Sequence, residues 1–296
     1  MNDTKKIISI KDFISGALAG VSQTLIGQPF DIVKVRMQTS NQVGIGTFDI
    51  VKSIMKKEGI KGFYKGTVSP LIGNAFSIST LFGANEICKN SILKHKMKTS
   101  NTLNLELTTL EIHICGAIAG MCNAIWISPT ELFRIKMQIQ ATGEPRYTGS
   151  IDCAVKTVKQ FGLRGFFQGL NSTLVREGVG VSVYLGYYET RIKKLEKKYK
   201  SRQNIPKYLV LWNGSLSGLL YWFVIFPVDV VKSCIQSEAY PNKVYKTFLR
   251  TLLILYSQKG YKCFFNGIMP CLTRAPFVNA GVFLTYELSK NFLIHF

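Results

Sequence analysis

Three ionisable residues interrupt runs that are otherwise apolar: Arg176, Glu177 and Arg274. A charge inside an apolar span is costly, so such residues mark binding or conduction sites. Two guanidinium groups can hold a carboxylate through paired hydrogen bonds. One carboxylate, Glu177, suits an ammonium group, and the Trp222 ring can face a cation. Together they describe a site for a zwitterion, an amino acid or carnitine. Asn74 and Ser77 in the run 66–85, and Asn279 in the stretch of Arg274, can add hydrogen bonds. Arg176 precedes Glu189 by thirteen residues and Arg274 precedes Glu287 by thirteen. On helices, both arginines then sit at one depth, about 20 Å from those acids. Arg176 and Glu177 are adjacent, point about 100° apart, and are expected not to neutralise each other. The run 66–85, with Ser77, holds no acid for a second ammonium group, so a substrate with one positive centre is expected. No covalent chemistry is implied.

A second set of charges recurs three times. Pro29, Asp31 and Lys34 form the first copy, Pro129, Glu131 and Arg134 the second, Pro227, Asp229 and Lys232 the third. Four residues after each base stands a glutamine: Gln38, Gln138 and Gln236. Proline has no N–H to give, so each is expected to kink its helix. The acid and base share one helix face, about 5 Å apart. One copy alone would suggest a local pair; three in register favour a ring of pairs between helices. A third pattern, aromatic-acid-x-x-base, is complete at Tyr286, Glu287 and Lys290. Glu86 and Lys89 lack the aromatic, and Tyr188 and Glu189 lack the base, because position 192 is isoleucine.

These charges must be placed by repeated elements. Glycines stand thirteen and nine residues before each motif proline: Gly16 and Gly20, Gly116 and Gly120, Gly214 and Gly218. Small residues four apart let helices approach closely in a bilayer. After each motif comes an aromatic-x-Gly, at 64–66, 167–169 and 265–267, with the end acid twenty residues beyond its glycine. Three units follow, 8–97, 108–200 and 206–296, within one domain covering 1–296. Residues 13–30, 66–85, 112–130 and 208–228 contain no Asp, Glu, Lys or Arg, and 166–188 and 264–286 are apolar but interrupted. The runs approach the roughly 20 residues needed to cross hydrocarbon. Six spans, and both termini on one side, are expected. Segments such as 48–55 read as amphipathic helices on the surface. Small residues at their starts, as in 147–150, can hold a lipid phosphate.

The chain is 47% hydrophobic and 18% charged, oily for a soluble domain of this length. Its net charge of +20 suits an anionic lipid surface or nucleic acid. No nucleic-acid motif accompanies the charge, so no nucleic-acid partner is expected. Seven cysteines without a CxxC read as free thiols, and three histidines far apart give no metal site. No cofactor is expected. Residues 1–10 show neither a secretory signal nor a cleavable transit peptide.

The triple P-x-[DE]-x-x-[KR] with its aromatic-x-Gly companions resembles the mitochondrial carrier family over nearly the whole chain. Residues 29–39, 222–233 and 274–287 resemble its carnitine, ornithine and amino-acid branch. The resemblance implies an all-α membrane protein: six tilted transmembrane helices in a pseudo-threefold barrel, with three short helices on the matrix side. It implies a matrix-side gate of Asp31–Arg134, Glu131–Lys232 and Asp229–Lys34, braced by the three glutamines. It also implies a cytosolic-side gate with Glu189–Lys290 and Glu287–Lys89, leaving Glu86 without a partner. Glu58-Gly59 keeps the family's acid before glycine; Phe161-Gly162 and Lys259-Gly260 do not, which is expected to weaken helix-end contacts there. The implied protein is a monomeric inner-membrane carrier of a small zwitterion, binding cardiolipin at its short helices, with both termini on the intermembrane-space side. A carrier of another anionic metabolite, or a carrier-fold receptor or scaffold without transport, remains open.

Overall fold

The computed structural model describes residues 10–40, 45–99, 106–140, 147–238, 244–245 and 247–294. Within these, all regular structure is helical. Six long helices are α1 (Ile10–Thr39), α3 (Val68–Thr99), α4 (Thr109–Ile139), α6 (Leu170–Tyr199), α7 (Lys207–Ser237) and α9 (Ile268–Ile294). Three short ones are α2 (Thr47–Glu58), α5 (Ser150–Phe166) and α8 (Phe248–Lys259). Each third of the chain is thus long helix, short helix, long helix. α4 shows how such a helix is started. The Thr108 hydroxyl accepts from the Glu111 N–H at 3.3 Å, and the Glu111 carboxylate accepts from the Thr108 N–H at 2.7 Å. That reciprocal cap satisfies two N–H groups that the first turn leaves over.

The helices run through Pro29, Pro129 and Pro227 without a break. Pro276 also lies inside α9, two residues after Arg274 and outside the repeated motifs. α4 and α7 are each long and apolar enough to cross a membrane. Of the others, α6 carries Arg176 and Glu177 and α9 carries Arg274 within otherwise apolar stretches. Their outer faces are nonetheless greasy, with Leu25, Phe76, Phe82, Val179, Phe277 and Leu284 exposed.

Across the repeat boundaries α3 packs on α4, α6 on α7, and α9 returns to α1, so the last third meets the first. Within the second repeat α4 packs on α6 more extensively still, whereas α1 and α3 of the first barely meet. Each short helix covers the second half of the long helix before it. Ile32, Val33 and Met37 of α1 bury against Ile50 and Ile54 of α2. Leu132, Phe133 and Met137 of α4 bury against Cys153 of α5. Phe226, Val230 and Cys234 of α7 bury against Leu255 of α8. These small cores lie beside the proline motifs and stiffen the segments that carry the gate charges.

The aromatic-x-Gly glycines explain their own spacing. Gly66, Gly169 and Gly267 all have φ near +80° (81°, 82° and 86°), where a side chain is strained. Each also abuts the proline motif of the next repeat. A Cβ on Gly66 would lie 3.1 Å from the Arg134 carbonyl oxygen, and on Gly267 3.1 Å from that of Lys34. On Gly169 it would lie 2.8 Å from Gln236 Cγ. A further joint lies at the ends of α1, α4 and α7. Arg36 Nε donates to the Gln138 carbonyl at 2.9 Å, and Gln168 Nε2 to that of Ile235 at 2.7 Å. Lys259 Nζ donates to the Ser40 carbonyl at 2.7 Å. One side chain from each repeat thus caps the first long helix of the next. Lys259, expected only to weaken its corner, supplies one of these links.

The small-residue pairs behave differently from the expectation. Among the glycines described, those of α4 close on a neighbour: a Cβ on Gly116 would lie 3.1 Å from Ser182 Cα, and on Gly120 2.2 Å from the Glu177 carbonyl oxygen. Gly20, Gly214 and Gly218 have open space around them. The surroundings of Gly16 lie outside the described residues.

Candidate functional site

The six motif charges meet at the centre of the bundle, one helix to the next. Arg134 of α4 contacts Asp31 of α1, and Lys232 of α7 contacts Glu131 of α4. Lys34 of α1 lies 2.7 Å from Asp229 of α7. The acid and base of a motif face opposite neighbours, so three helices close a ring that none could close alone. Lys232 and Asp229 are almost fully buried, whereas Arg134 and Asp31 keep some exposure. The glutamines diverge. Gln38 Nε2 donates to Asp229 at 3.0 Å, as a brace should. Gln236 bonds the Ser128 and Gln168 carbonyls at 3.4 Å, and the buried Gln138 amide has no hydrogen-bond partner. Bracing of a gate acid by all three is therefore corrected to bracing by one. Gln28, whose counterparts in the other repeats are Ser128 and Phe226, accepts from Arg134 at 3.1 Å.

Both mid-span arginines reach this ring. Arg176 Nε is 2.9 Å from Asp229, and its Nη1 is 3.3 Å from Glu131. Arg274 Nε is 3.3 Å from Asp31, and the guanidinium lies flat on Gly27, where a Cβ would be 2.7 Å from Nε. A side chain at position 27 would push Arg274 off its acid. Among these charges lies a cavity of about 180 Å³, lined by Asp31, Glu131, Asp229, Arg176, Arg274 and Trp222 among others.

Arg176 also bends back onto Glu177, with Nη1 at 2.5 Å from Oε1. The expectation that these neighbours would not neutralise each other is corrected. The 100° between their Cβ directions is real, but a guanidinium on three methylenes spans it. The other Glu177 oxygen accepts from Asn123 Nδ2 at 3.1 Å. Ser77 does not stand open toward a ligand; it donates to Asn123 Oδ1 at 2.7 Å. The Trp222 ring does face a cation, and the cation is Lys34, 4.5 Å from the ring centroid. Tyr221, absent from the sequence reading, lies beside Arg176 and packs at Gly180. Asn279 is exposed on α9, and the side chain of Asn74 lies outside the described residues.

At the opposite end, Lys89 of α3 has Glu189 of α6 as its described partner, at 2.6 Å. The expected partner was Glu287, whose side chain lies outside the described residues. The pair joins the first two repeats, which the sequence reading left unlinked at this end. Glu86 is exposed and accepts from Asn90 on its own helix at 3.2 Å. Tyr188 is half-buried; the side chains of Tyr286, Glu287 and Lys290 lie outside the described residues.

Outside the long helices, Glu58 at the end of α2 takes Arg36 at 2.5 Å and Lys65 at 2.6 Å. Burial works to raise the Glu58 carboxyl, but the hydrogen bonds from Arg36 and Lys65 outweigh it and hold it below the usual range.

Known proteins carry the same architecture. The family model described as Mitochondrial carrier protein matches three times, at residues 5–96, 106–199 and 203–296. The glutamate/glycine mitochondrial carrier ymc1 of Schizosaccharomyces pombe is 36% identical over 293 residues, covering 97% of this chain and 96% of that protein. The mitochondrial glycine transporter YMC1 of Saccharomyces cerevisiae is 33% identical, covering 96% of this chain and 92% of that protein. The mitochondrial basic amino acids transporter of Mus musculus is 34% identical, covering 93% and 87%. With its three motif copies, its ring of interlocking charges and these matches along its length, the chain belongs to the mitochondrial carrier family.

Proposed function

We propose that the protein is an alternating-access carrier of a small α-amino acid with a single ammonium group, in the mitochondrial inner membrane. The observation that carries the reading is that Arg176 and Arg274 each touch acids of the proline-motif ring. A substrate carboxylate that takes these guanidinium groups draws them from Asp31, Glu131 and Asp229. Each acid then keeps only its motif base, and the ring is weakened when substrate is present. Buried pairs suit this use, because desolvation offsets much of their Coulomb attraction and each can break at modest cost. The substrate ammonium goes to Glu177, exchanging with Arg176. Binding energy realised in the occluded state offsets the opening of one gate as the other closes. Asn74, Ser77, Trp222 and Asn279 complete the site in this reading, Ser77 through Asn123 and Trp222 through Lys34.

Asp31, Lys34, Glu131, Arg134, Asp229 and Lys232 with Gln38, Gln138 and Gln236 form the matrix-side gate, pivoting at Pro29, Pro129 and Pro227. Glu86, Lys89, Tyr188, Glu189, Tyr286, Glu287 and Lys290 form the cytosolic-side gate. All six long helices cross the membrane, and both termini lie on the intermembrane-space side. Units 8–97, 108–200 and 206–296 form one domain that works as a monomer, since α9 on α1 closes the bundle within one chain. Cardiolipin is held where a short helix begins. An apolar groove of about 570 Å³, with Phe76, Trp126 and Ile151 on its walls, runs up to Ser150 at the start of α5 and suits acyl chains beside a phosphate.

The named relatives carry amino acids, which favours an amino acid over carnitine. The test is exchange in liposomes: labelled glycine, glutamate and arginine are offered alongside carnitine, a nucleotide and a dicarboxylate. Uptake of an amino acid, lost in Arg274→Ala, supports the reading. Failure of the whole panel leaves a carrier-fold scaffold.

A further inference from the structure

Glu177 has its two oxygens divided between neighbours of different kinds. Oε1 takes Arg176, which a substrate carboxylate can draw away, and Oε2 takes the amide of Asn123. Asn123 is 3% exposed and is itself held, because Ser77 donates to its Oδ1. Only one amide orientation satisfies both neighbours. An ionised carboxylate cannot donate, so Nδ2 faces Glu177 and Oδ1 faces the hydroxyl. The chain Ser77–Asn123–Glu177 thus runs from α3 through α4 to α6.

The other two repeat interfaces show what this chain is for. The positions equivalent to Asn123 are Gln23 and Tyr221, those equivalent to Ser77 are Val278 and Gly180, and those equivalent to Glu177 are Ala275 and Asn74. The hydroxyl–amide link is found beside the one copy that has a carboxylate. A buried amide and hydroxyl cost stability unless bonded, and an apolar pair could fill this space without that risk. We propose that Asn123 is a positioning residue of the carrier: it fixes the Glu177 carboxylate toward the substrate ammonium, and Ser77 fixes Asn123. This rests on the transport reading above. When substrate displaces Arg176, the amide keeps Glu177 from following the guanidinium, so the carboxylate is preorganised rather than found by search.

The test uses the full-length protein in liposomes, with whichever of glycine, glutamate or arginine the wild type exchanges fastest. Asn123→Ala should raise the KM for exchange about tenfold, in line with loss of a hydrogen bond to a charged group, with Vmax within about twofold. Ser77→Ala should raise it less, and Ser77→Thr should restore it. Asn123→Asp supplies the decisive measurement. Ionised, it opposes Glu177; protonated, it reproduces the amide, donating to Glu177 and accepting from Ser77. Its proton is favoured by the carboxylate beside it, so the KM should be high at pH 8 and return toward wild type at pH 6. The other charges around Glu177, namely Arg176, Glu131 and Lys232, are unchanged in the variant. An Asn123→Asp profile parallel to the wild type, or an Asn123→Ala defect in Vmax alone, overturns the assignment while leaving transport intact. A wild type that exchanges none of the three amino acids overturns the transport reading and this assignment with it.

Discussion

Removing Arg176 should unbalance the centre of the molecule in a way that a second deletion repairs. Six groups form its most buried cluster: Lys34, Arg176 and Lys232 against Glu131, Glu177 and Asp229. Three positive charges meet three negative ones. In Arg176→Ala, Glu131 keeps Lys232 and Asp229 keeps Lys34, but Glu177 is left with only the Asn123 amide. An orphaned buried charge costs about 3–5 kcal/mol. For a chain this long that corresponds to a fall of about 6–10 °C in unfolding temperature, at about 2 °C per kcal/mol. Arg176→Ala with Glu177→Ala removes both charges and restores balance, so the double variant should melt at least about 4 °C above the single one. The seven free cysteines supply the assay. Five are buried, so labelling by a thiol-reactive dye during heating reports unfolding. Both variants should be inactive in exchange, since both lack the carboxylate-binding arginine. A double variant as unstable as Arg176→Ala alone would refute the reasoning, because Glu177 would then not be the group that Arg176 neutralises.

Further outcomes follow from other contacts. Glu58 has a depressed folded-state pKa, so its contribution is fully present above the unfolded value of about 4.3 and is lost as pH falls through the lower folded value. Glu58→Gln should therefore melt earlier than wild type at pH 7, and the gap should close as the pH is taken below about 4. The Lys34 ammonium over Trp222 is worth about 1 kcal/mol, so Trp222→Leu should lower the melting temperature by about 2 °C and Trp222→Phe by less. Lys89→Glu should slow exchange, and combining it with Glu189→Lys should recover most of the loss; recovery with a swap at Glu287 instead would restore the original pairing.

Much of the architecture was legible because it is periodic. The proline motifs, the aromatic-x-Gly turns and the six long helices recur at spacings that one copy would not reveal and three copies do. Register pointed to a ring of charges, and the pairs within it are those that the family resemblance implied. What spacing could not give was the reach of long side chains. Arg176 folds back to Glu177 across the angle between their Cβ directions, and Lys89 reaches Glu189. Polar residues inside apolar runs were visible, but not whom they face: Ser77 turned to Asn123, and Trp222 received a lysine of the protein. The glycine pairs were equally visible in all three repeats, yet among those described only the pair of α4 meets a neighbour, because close approach belongs to both partners. Gln28 carried no repeated signal at all.

The joints between repeats have a consequence for how the chain can vary. Arg36, Gln168 and Lys259 occupy unrelated positions within their repeats, and yet each closes the same kind of joint. What they share is the acceptor, a main-chain carbonyl at the end of a helix, which is present whatever side chain stands there. The receiving half of each joint is therefore immune to substitution, and the giving half can be rebuilt from any long donor within reach. A threefold machine descended from copies can in this way lose its chemical likeness, repeat by repeat, while its closure stays threefold.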